Sequence, residues 1–128
     1  MTPFSFDPQQ GLILVLAELQ GPAGTAGLRL ALDTGATDTA VSVLPLRAAD
    51  YDPAASPTRV EITTGSGIEH VPVLTVARLS SLGQDRTAFP VLAHTLPPSA
   101  AVDGVLGLDF LRGHALNIDF RTGKITLT

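Results

Sequence analysis

Leu30-Ala31-Leu32-Asp33-Thr34-Gly35-Ala36-Thr37 is the stretch of sequence that decides the fold. The apolar run leading into it, Leu28 to Leu32 with Arg29 inside, predicts a strand whose end presents the carboxylate of Asp33. Gly35 tolerates backbone angles and a close approach that a side chain would forbid. A carboxylate at the end of a buried strand favours a ligand or a reaction over plain packing. The residues also leave open a simpler interpretation, in which Asp33 begins an ordinary turn.

The composition is that of a compact domain with few charges. Apolar residues make up 45% of the chain and charged residues 16%, which is typical of a globular protein. The length of 128 residues predicts one domain, spanning residues 1–128. The net charge is -4 and Lys and Arg form no cluster, so nucleic acid is not an expected partner. Without Cys the chain has no disulfide and no thiolate nucleophile.

The apolar stretches are too short for a membrane span. Leu12 to Ala17, the first of them, cannot cross a bilayer and lacks the flanks of a signal peptide. We therefore expect a soluble, cytoplasmic protein with no membrane partner. The sequence is equally compatible with a domain trimmed from a longer parent chain.

Short strands separated by Gly and Pro predominate along the chain. Leu12 to Leu19 has strand length, and a loop from Gln20 to Gly27 is predicted to join it to the strand ending at Asp33 as a hairpin. Other predicted elements are strands at 41–44 (closed by Pro45) and 89–94, a surface loop at 47–58, a short helix at 108–113 and a hairpin of 116–120 with 124–128. The fold class is therefore mostly β.

A glycine-tipped hairpin is predicted in the middle of the chain. Val60 to Thr63 and Ile68 to Val73 flank Thr64-Gly65-Ser66-Gly67, and the second strand extends to Leu79. Hairpin tips are rich in glycine in many proteins, so the tip alone indicates no function.

A second motif, Val105-Leu106-Gly107, follows far downstream of Asp33-Thr34-Gly35. Two apolar residues and a glycine after an Asp-Thr-Gly resemble the paired signature of the aspartic proteases. The order of hairpin, Asp-Thr-Gly, flap hairpin, apolar-apolar-Gly and short helix resembles the single-lobed retropepsin-like branch over roughly Gly11 to Phe120. The resemblance implies an all-β fold: a retropepsin-like closed β-barrel or sandwich with a flap hairpin and one short helix.

The resemblance also implies an aspartic endopeptidase that works as a homodimer without a cofactor or metal. Two carboxylates held close together cannot both ionise and therefore share one proton. The ionised carboxylate takes a proton from water while the protonated one polarises the peptide carbonyl. Because the chain has one Asp-Thr-Gly and no room for a second lobe, we expect the second carboxylate to come from Asp33 of another copy across a two-fold axis.

By the same resemblance, site roles fall on numbered positions of this chain. Asp33 is the expected catalytic residue, Thr34 bonds across the axis, and Gly35 accepts a hydrogen bond from an extended peptide substrate. The tip Gly65-Ser66-Gly67 is the expected flap that closes over the peptide. The expected substrate-lining residues are Ala36, Thr37, Asp38, Ala40, Val105 and Leu106.

The sequence departs from the retroviral pattern at two positions. Thr37 and Leu108 stand where retroviral members have an Asp and an Arg that form an ion pair, so the chain looks more like the cellular and bacterial relatives. Asp109 is expected to be a helix cap rather than a catalyst. The terminal strand, Lys124 to Thr128, is a candidate for an intersubunit sheet.

Other site types fit less well. The sequence after Asp33 looks slightly like the first phosphate loop of sugar-kinase and actin-like ATPases, but the chain lacks their two large domains, and a haloacid-type phosphatase needs an Asp where Gly35 stands. Ser66 lacks the nucleophile-elbow spacing, no phosphate-binding glycine loop occurs, and His70, His94 and His114 have no metal-ligand spacing. The alternative that stays open is a catalytically weak, dimeric peptide-binding or assembly module on the same fold.

Overall fold

The computed structural model describes residues 2–128, which form short strands with two small α-helices. The strands are β1 (Phe4–Ser5), β2 (Leu14–Gly21), β3 (Gly24–Leu32), β4 (Ala40–Val41), β5 (Arg59–Thr64), β6 (Gly67–Ser81), β7 (Gln84–Ala93), β8 (Gly104–Leu106), β9 (Leu116–Asp119) and β10 (Lys124–Leu127). The α-helices are α1 (Val43–Ala48) and α2 (Leu108–Leu111), and the 3-10 turns are Pro53–Ala55 and Pro98–Ala100. Within residues 2–128, no helix has both the length and the apolar character that a bilayer crossing requires.

Six of the strands close into a barrel. Their order is β2-β3-β8-β4-β7-β6, and an additional pairing of β2 with β6 completes the ring, while β5 pairs with β6 outside it. Along β2, Val15, Ala17 and Leu19 are buried and alternate with exposed residues, as expected of a strand with one face on the core. The predicted all-β, closed-barrel fold is confirmed.

The barrel encloses an apolar core that reaches α2. Phe110 of this helix is fully buried and packs edge-on against Phe89, with ring centroids 5.9 Å apart. The guanidinium of Arg86 lies 4.7 Å from the centroid of the Phe110 ring and donates a 2.7 Å hydrogen bond to the carbonyl of the same residue. The helix that follows the second glycine motif is thus held against the barrel from two sides.

The first hairpin is tighter than the sequence predicted. β2 and β3 pair until Gly21 lies opposite Gly24, so the turn consists of Pro22 and Ala23 instead of the whole of 20–27. A Cβ on Gly21 would lie 2.7 Å from the ring of Tyr51 and would also press on the carbonyl of Ala49. This glycine therefore permits close packing and does not mark a loop.

The predicted strand at 41–44 is wrong beyond its first residue. β4 covers only Ala40–Val41, and α1 begins at Val43 and carries Pro45 in its first turn. Pro is tolerated there because the first N–H groups of a helix have no partner within it. Leu46 of α1 is fully buried, which explains the apolar pattern that favoured a strand.

The two longest strands continue into each other through a turn that the sequence analysis did not identify. Ser81 lies opposite Gln84, with Leu82 and Gly83 between them at φ of 53° and 77°. Positive φ at both central residues is typical of the turn that suits the twist of a β-hairpin. The stretches predicted as separate strands near Leu79 and Phe89 are therefore parts of one long hairpin.

A smaller sheet has the order β1-β10-β9. The predicted hairpin of 116–120 with 124–128 is confirmed as β9 and β10. β10 is the middle strand, because Phe4 and Ser5 of β1 pair with Ile125 and Lys124. At Lys124 and Ile125, β10 therefore has a neighbouring strand on each side. Only the edge of β10 beyond these two residues could pair with another subunit, and the intersubunit sheet stays a prediction there.

Candidate active site

The barrel places Asp33 directly after β3, between two other strands. The backbone N–H of Asp33 donates to the carbonyl of Leu106 at 3.0 Å, which continues the parallel pairing of β3 with β8 by one residue. On the other side, the N–H of Leu32 donates to the carbonyl of Ile13 at 2.8 Å. The base of the Asp33 side chain is thus held by the barrel itself.

The carboxylate of Asp33 is oriented by its own turn. Its Oδ1 accepts a hydrogen bond from the N–H of Gly35 at 2.9 Å, and its carbonyl accepts one from the N–H of Ala36 at 3.2 Å. A Cβ on Gly35 would lie 3.2 Å from the same Oδ1. Gly35 does not have a positive φ. A side chain at this position would crowd the carboxylate, whereas the backbone angle itself does not call for glycine.

The residues of the Asp-Thr-Gly turn are all exposed. Among the described residues, the Thr34 hydroxyl has no hydrogen-bond partner and Asp33 belongs to no ion pair. An exposed carboxylate with one oxygen engaged by its turn and the other unengaged within residues 2–128 can accept a further partner.

A groove of about 420 Å³ opens beside the Asp33 carboxylate. Its walls come from the segment before β2, the end of β3, the loop between β7 and β8, and β8. The lining residues are Gly11, Leu12, Ile13, Ala31, Leu32, Asp33, Leu96, Ala100, Val102 and Val105. Since Asp33 is the only charged side chain among them, the groove suits an apolar side chain placed next to a carboxylate.

The second motif interlocks with the first through Gly107. A Cβ on this glycine would lie 2.7 Å from the carbonyl carbon of Asp38 and 2.9 Å from the carbonyl oxygen of Ala36. The N–H of Leu108 donates to the same Ala36 carbonyl at 2.8 Å, and the N–H of Asp109 donates to the carbonyl of Thr37 at 3.2 Å. The start of α2 therefore binds the chain that leaves the Asp-Thr-Gly turn.

Asp109 is not the helix cap that the sequence predicted. The cap position of α2 is Gly107, which makes no side-chain capping bond. Both carboxylate oxygens of Asp109 accept from the backbone N–H of Thr39, at 3.0 and 3.1 Å. The expectation that Asp109 is structural and not a catalyst stays a prediction, but its partner lies outside its own helix.

The predicted flap is a two-residue turn at the end of a long hairpin. Thr64 lies opposite Gly67, with Gly65 and Ser66 between them, and all four hairpin residues from Gly65 to Ile68 are exposed. The Thr64 hydroxyl accepts from the N–H of Ser66 and donates to the carbonyl of Gly67, both at 3.2 Å. Gly67 has a φ of +118°, which a residue with a side chain adopts only with strain.

The expected substrate-lining residues divide into two groups. Thr37 and Asp38 are exposed and Ala36 is half-buried beside the Asp-Thr-Gly turn, while Val105 lines the groove. Leu106 is fully buried in the apolar core inside the barrel, so its expected contact with substrate is wrong. Ala40 is 6% exposed and lies opposite Val105 on the neighbouring strand, so its expected contact with substrate stays a prediction.

Sequence reasoning missed much of the groove wall. Gly11, Leu12 and Ile13 precede β2, Leu96 precedes Pro97, and Ala100 ends the 3-10 turn Pro98–Ala100. None of them lies in a motif. A partial signal existed, since Leu12 is an apolar residue that stays 45% exposed just outside a strand. The long-range pairing of β3 with β8 brings these segments together, and no local pattern records it.

Comparisons with known proteins agree with this geometry. A crystal structure of a retropepsin-like aspartic protease from Rickettsia conorii matches the fold with a TM-score of 0.70 and 17% sequence identity, over 96% of this chain and 86% of that chain. No curated protein matches the sequence. The model of the family described as "gag-polyprotein putative aspartyl protease" matches residues 23–113, which include both motifs and the hairpin between them. The chain therefore belongs to this family of aspartyl proteases, with the retropepsin-like fold of its bacterial type.

Proposed function

We propose that the protein is an aspartic endopeptidase whose active site is completed by a second copy of the chain. The observation that carries this proposal is the exposed Asp33 carboxylate, which accepts a hydrogen bond from its own turn and lies at the edge of an apolar groove. One chain supplies one such carboxylate, whereas peptide hydrolysis by this chemistry needs an acid and a base together. A two-fold axis beside Asp33 provides both the acid and the base, because the exposed turn of one chain then faces the same turn of its partner.

In the dimer, Asp33 and the partner subunit's Asp33 hold one proton between them. The ionised carboxylate takes a proton from a water molecule, whose oxygen forms a bond to the carbonyl carbon of the peptide. The protonated carboxylate gives its proton to the carbonyl oxygen, so a tetrahedral diol forms. The newly protonated carboxylate then gives its proton to the amide nitrogen while the C–N bond breaks, and the ionised carboxylate takes a proton from one hydroxyl of the diol. The products are a carboxylic acid and an amine, and the two carboxylates again hold one proton between them.

The surrounding residues have supporting roles in this proposal. The Thr34 hydroxyl, which has no partner within residues 2–128, donates across the axis to the partner's equivalent turn. Gly35 accepts a hydrogen bond from the substrate backbone. Ala36, Thr37, Asp38 and Val105 border the extended peptide, and Gly65, Ser66 and Gly67 close over it as a flap that excludes water.

The groove also suggests the kind of bond that is cut. Leu12, Leu96 and Val105 surround the space next to the Asp33 carboxylate. Burying a leucine-sized or phenylalanine-sized side chain there is favourable by about 1.5–3 kcal/mol, whereas a carboxylate in the same place lacks any partner. We therefore expect cleavage next to apolar residues and poor cleavage next to Asp or Glu.

Cleavage of an unstructured peptide mixture by the full chain tests the proposal. Products are identified by mass spectrometry at several pH values from mildly acidic to neutral. Asp33→Asn removes the acid–base pair and is expected to lower the rate by about 10³-fold or more. Asp50→Asn is the matched control, because Asp50 is exposed and has a φ of 71°, which Asn tolerates.

The outcome separates the peptidase from its alternative. Cleavage that Asp33→Asn abolishes and Asp50→Asn preserves supports an aspartic endopeptidase. Peptide binding without cleavage in the wild-type dimer, unchanged in Asp33→Asn, contradicts the proposal and identifies a peptide-binding or assembly module.

A further inference from the structure

A chain of side-chain hydrogen bonds links α2 to the segment that leaves the Asp-Thr-Gly turn. The hydroxyl of Thr39 donates to Oδ1 of Asp109 at 2.7 Å and accepts from the backbone N–H of Gly107 at 3.0 Å. The backbone N–H of Thr39 donates to both carboxylate oxygens of Asp109. We call this set of contacts among Thr39, Asp109 and Gly107 the relay.

The chemistry of the relay requires these residue types. A hydroxyl has one proton, and Thr39 donates it to a carboxylate oxygen of Asp109. The lone pairs of the Thr39 oxygen are then free for the N–H of Gly107. Thr39 and Gly107 are buried and Asp109 is half-buried, so water has limited access to these bonds. Bonds to an ionised acceptor are also stronger than bonds between neutral groups.

The relay joins the two places where the candidate site is fixed. Gly107 follows Leu106, whose carbonyl accepts the N–H of Asp33 at 3.0 Å. Thr39 ends the segment whose earlier carbonyls, those of Ala36 and Thr37, bind the start of α2. A shift of Gly107 away from Thr39 therefore moves the carbonyl that holds the backbone of Asp33.

We infer that Asp109 and Thr39 are positioning residues that align the Asp33 carboxylate for reaction, an inference that rests on the proposed peptidase function. Neither residue lines the groove, so neither contacts the substrate side chain placed there. Their loss is therefore expected to lower kcat and to leave KM nearly unchanged. If the two residues only stabilised the fold, their substitution would lower the fraction of folded protein and leave kcat per folded dimer unchanged.

Four variants test the inference. Thr39→Val keeps the shape of the side chain and removes its hydroxyl, and Asp109→Ala removes the acceptor. Each is expected to lower kcat per folded dimer by about tenfold or more, because small displacements of reacting groups have large kinetic effects. Thr39→Ser keeps a hydroxyl at this position, so its kcat is expected to stay within about threefold of wild type. Asp109→Asn is expected to have an intermediate kcat, because the amide oxygen can accept hydrogen bonds but the amide nitrogen cannot.

The control is a carboxylate that also accepts backbone N–H groups but lies outside the relay. Asp119→Asn is expected to keep the wild-type kcat, since Asp119 binds only its own turn through Arg121 and Thr122. Folded fraction and dimer content are measured for every variant by circular dichroism and sedimentation. If Thr39→Val and Asp109→Ala both keep the wild-type kcat per folded dimer, the inference is overturned.

A second readout keeps the inference testable if the wild-type protein cleaves nothing. In that case the proposed function fails, and the positioning role is judged by NMR on the same variants. Faster hydrogen exchange at the Gly107 amide in Thr39→Val, together with a changed carboxyl ¹³C shift of Asp33, supports the relay as the device that holds Asp33. An unchanged Asp33 carboxyl signal in both Thr39→Val and Asp109→Ala overturns it.

Discussion

The backbone N–H of Asp33 donates to the carbonyl of Leu106 at 3.0 Å, although the two residues belong to separate sequence motifs. This one bond joins the Asp-Thr-Gly turn to the strand that leads into the second glycine. Because the bond continues the parallel pairing of β3 with β8, the backbone of Asp33 is held by the barrel wall. The position of the candidate catalytic group therefore depends on packing around Gly107.

Gly107→Ala is expected to destabilise the protein. The added methyl group would lie 2.7 Å from the Asp38 carbonyl carbon and 2.9 Å from the Ala36 carbonyl oxygen, and both are backbone atoms that cannot rotate away. Overpacking of this kind costs about 1–3 kcal/mol. Urea denaturation followed by circular dichroism measures the loss.

Gly27→Ala is the matched control for that substitution. Gly27 lies in β3 with nothing within 4 Å of the place a Cβ would take, and it has no positive φ. Alanine is expected to be neutral or to stabilise by about 0.5 kcal/mol, because glycine loses more backbone entropy on folding. Equal losses in the two variants contradict the close-packing role of Gly107.

Tyr51→Phe is expected to weaken the seam where the barrel closes. The Tyr51 hydroxyl donates to the carbonyl of Gln20 at 2.7 Å and accepts from the N–H of Ala77 at 2.8 Å, so it bridges β2 and β6. Phenylalanine keeps the ring and removes both hydrogen bonds, and because both backbone groups are exposed to water the cost is that of ordinary hydrogen bonds, about 0.5–1.5 kcal/mol each. The difference in the free energy of unfolding between wild type and Tyr51→Phe measures this cost.

Thr64→Val controls for removal of a hydroxyl as such. The Thr64 hydroxyl bonds only to the exposed turn at the tip of the hairpin of β5 and β6. We expect a change within about 0.5 kcal/mol, as for most surface substitutions. A loss at Thr64 as large as the loss at Tyr51 would show that the seam has no special importance.

Asp119→Ala is expected to change stability in a way that depends on pH. The N–H of Arg121, followed by that of Thr122, donates to the Asp119 carboxylate and lowers its pKa below the ordinary value of 3.8. Since the pKa is lower in the folded state, these bonds stabilise the protein above the unfolded-state pKa and cease to do so as pH falls through the folded-state pKa. The variant therefore has a lower thermal midpoint at pH 7, and the difference narrows below about pH 4. A difference that is constant with pH contradicts this assignment.

The order of motifs predicted the fold because each motif carries a physical requirement. Gly35 and Gly107 stand where a side chain would press on the carboxylate or on the neighbouring backbone. The period-two patterns of β9 and β10 reflect one buried face and predicted that hairpin directly. These elements could be read from the sequence since their causes are local.

Other features depend on contacts that no local pattern contains. The apolar run at 43–46 suits a buried helix turn as well as a strand, and only packing of Leu46 against the core decides between them. The groove wall combines residues near Leu12 with residues near Leu96, which are distant in sequence. The sequence predicted Asp109 to be a helix cap because its actual partner, Thr39, lies on a distant segment of the chain and leaves no local pattern.

Mixing wild-type protein with the Asp33→Asn variant tests the shared active site most directly. The two are combined at constant total concentration, allowed to exchange subunits, and assayed for peptide cleavage. A dimer with a single Asp33 lacks the acid–base pair, so activity is expected to follow the square of the wild-type fraction and to fall to about a quarter in an equal mixture. Activity that falls in proportion, to about half in the equal mixture, would mean that each chain works alone and would contradict the account.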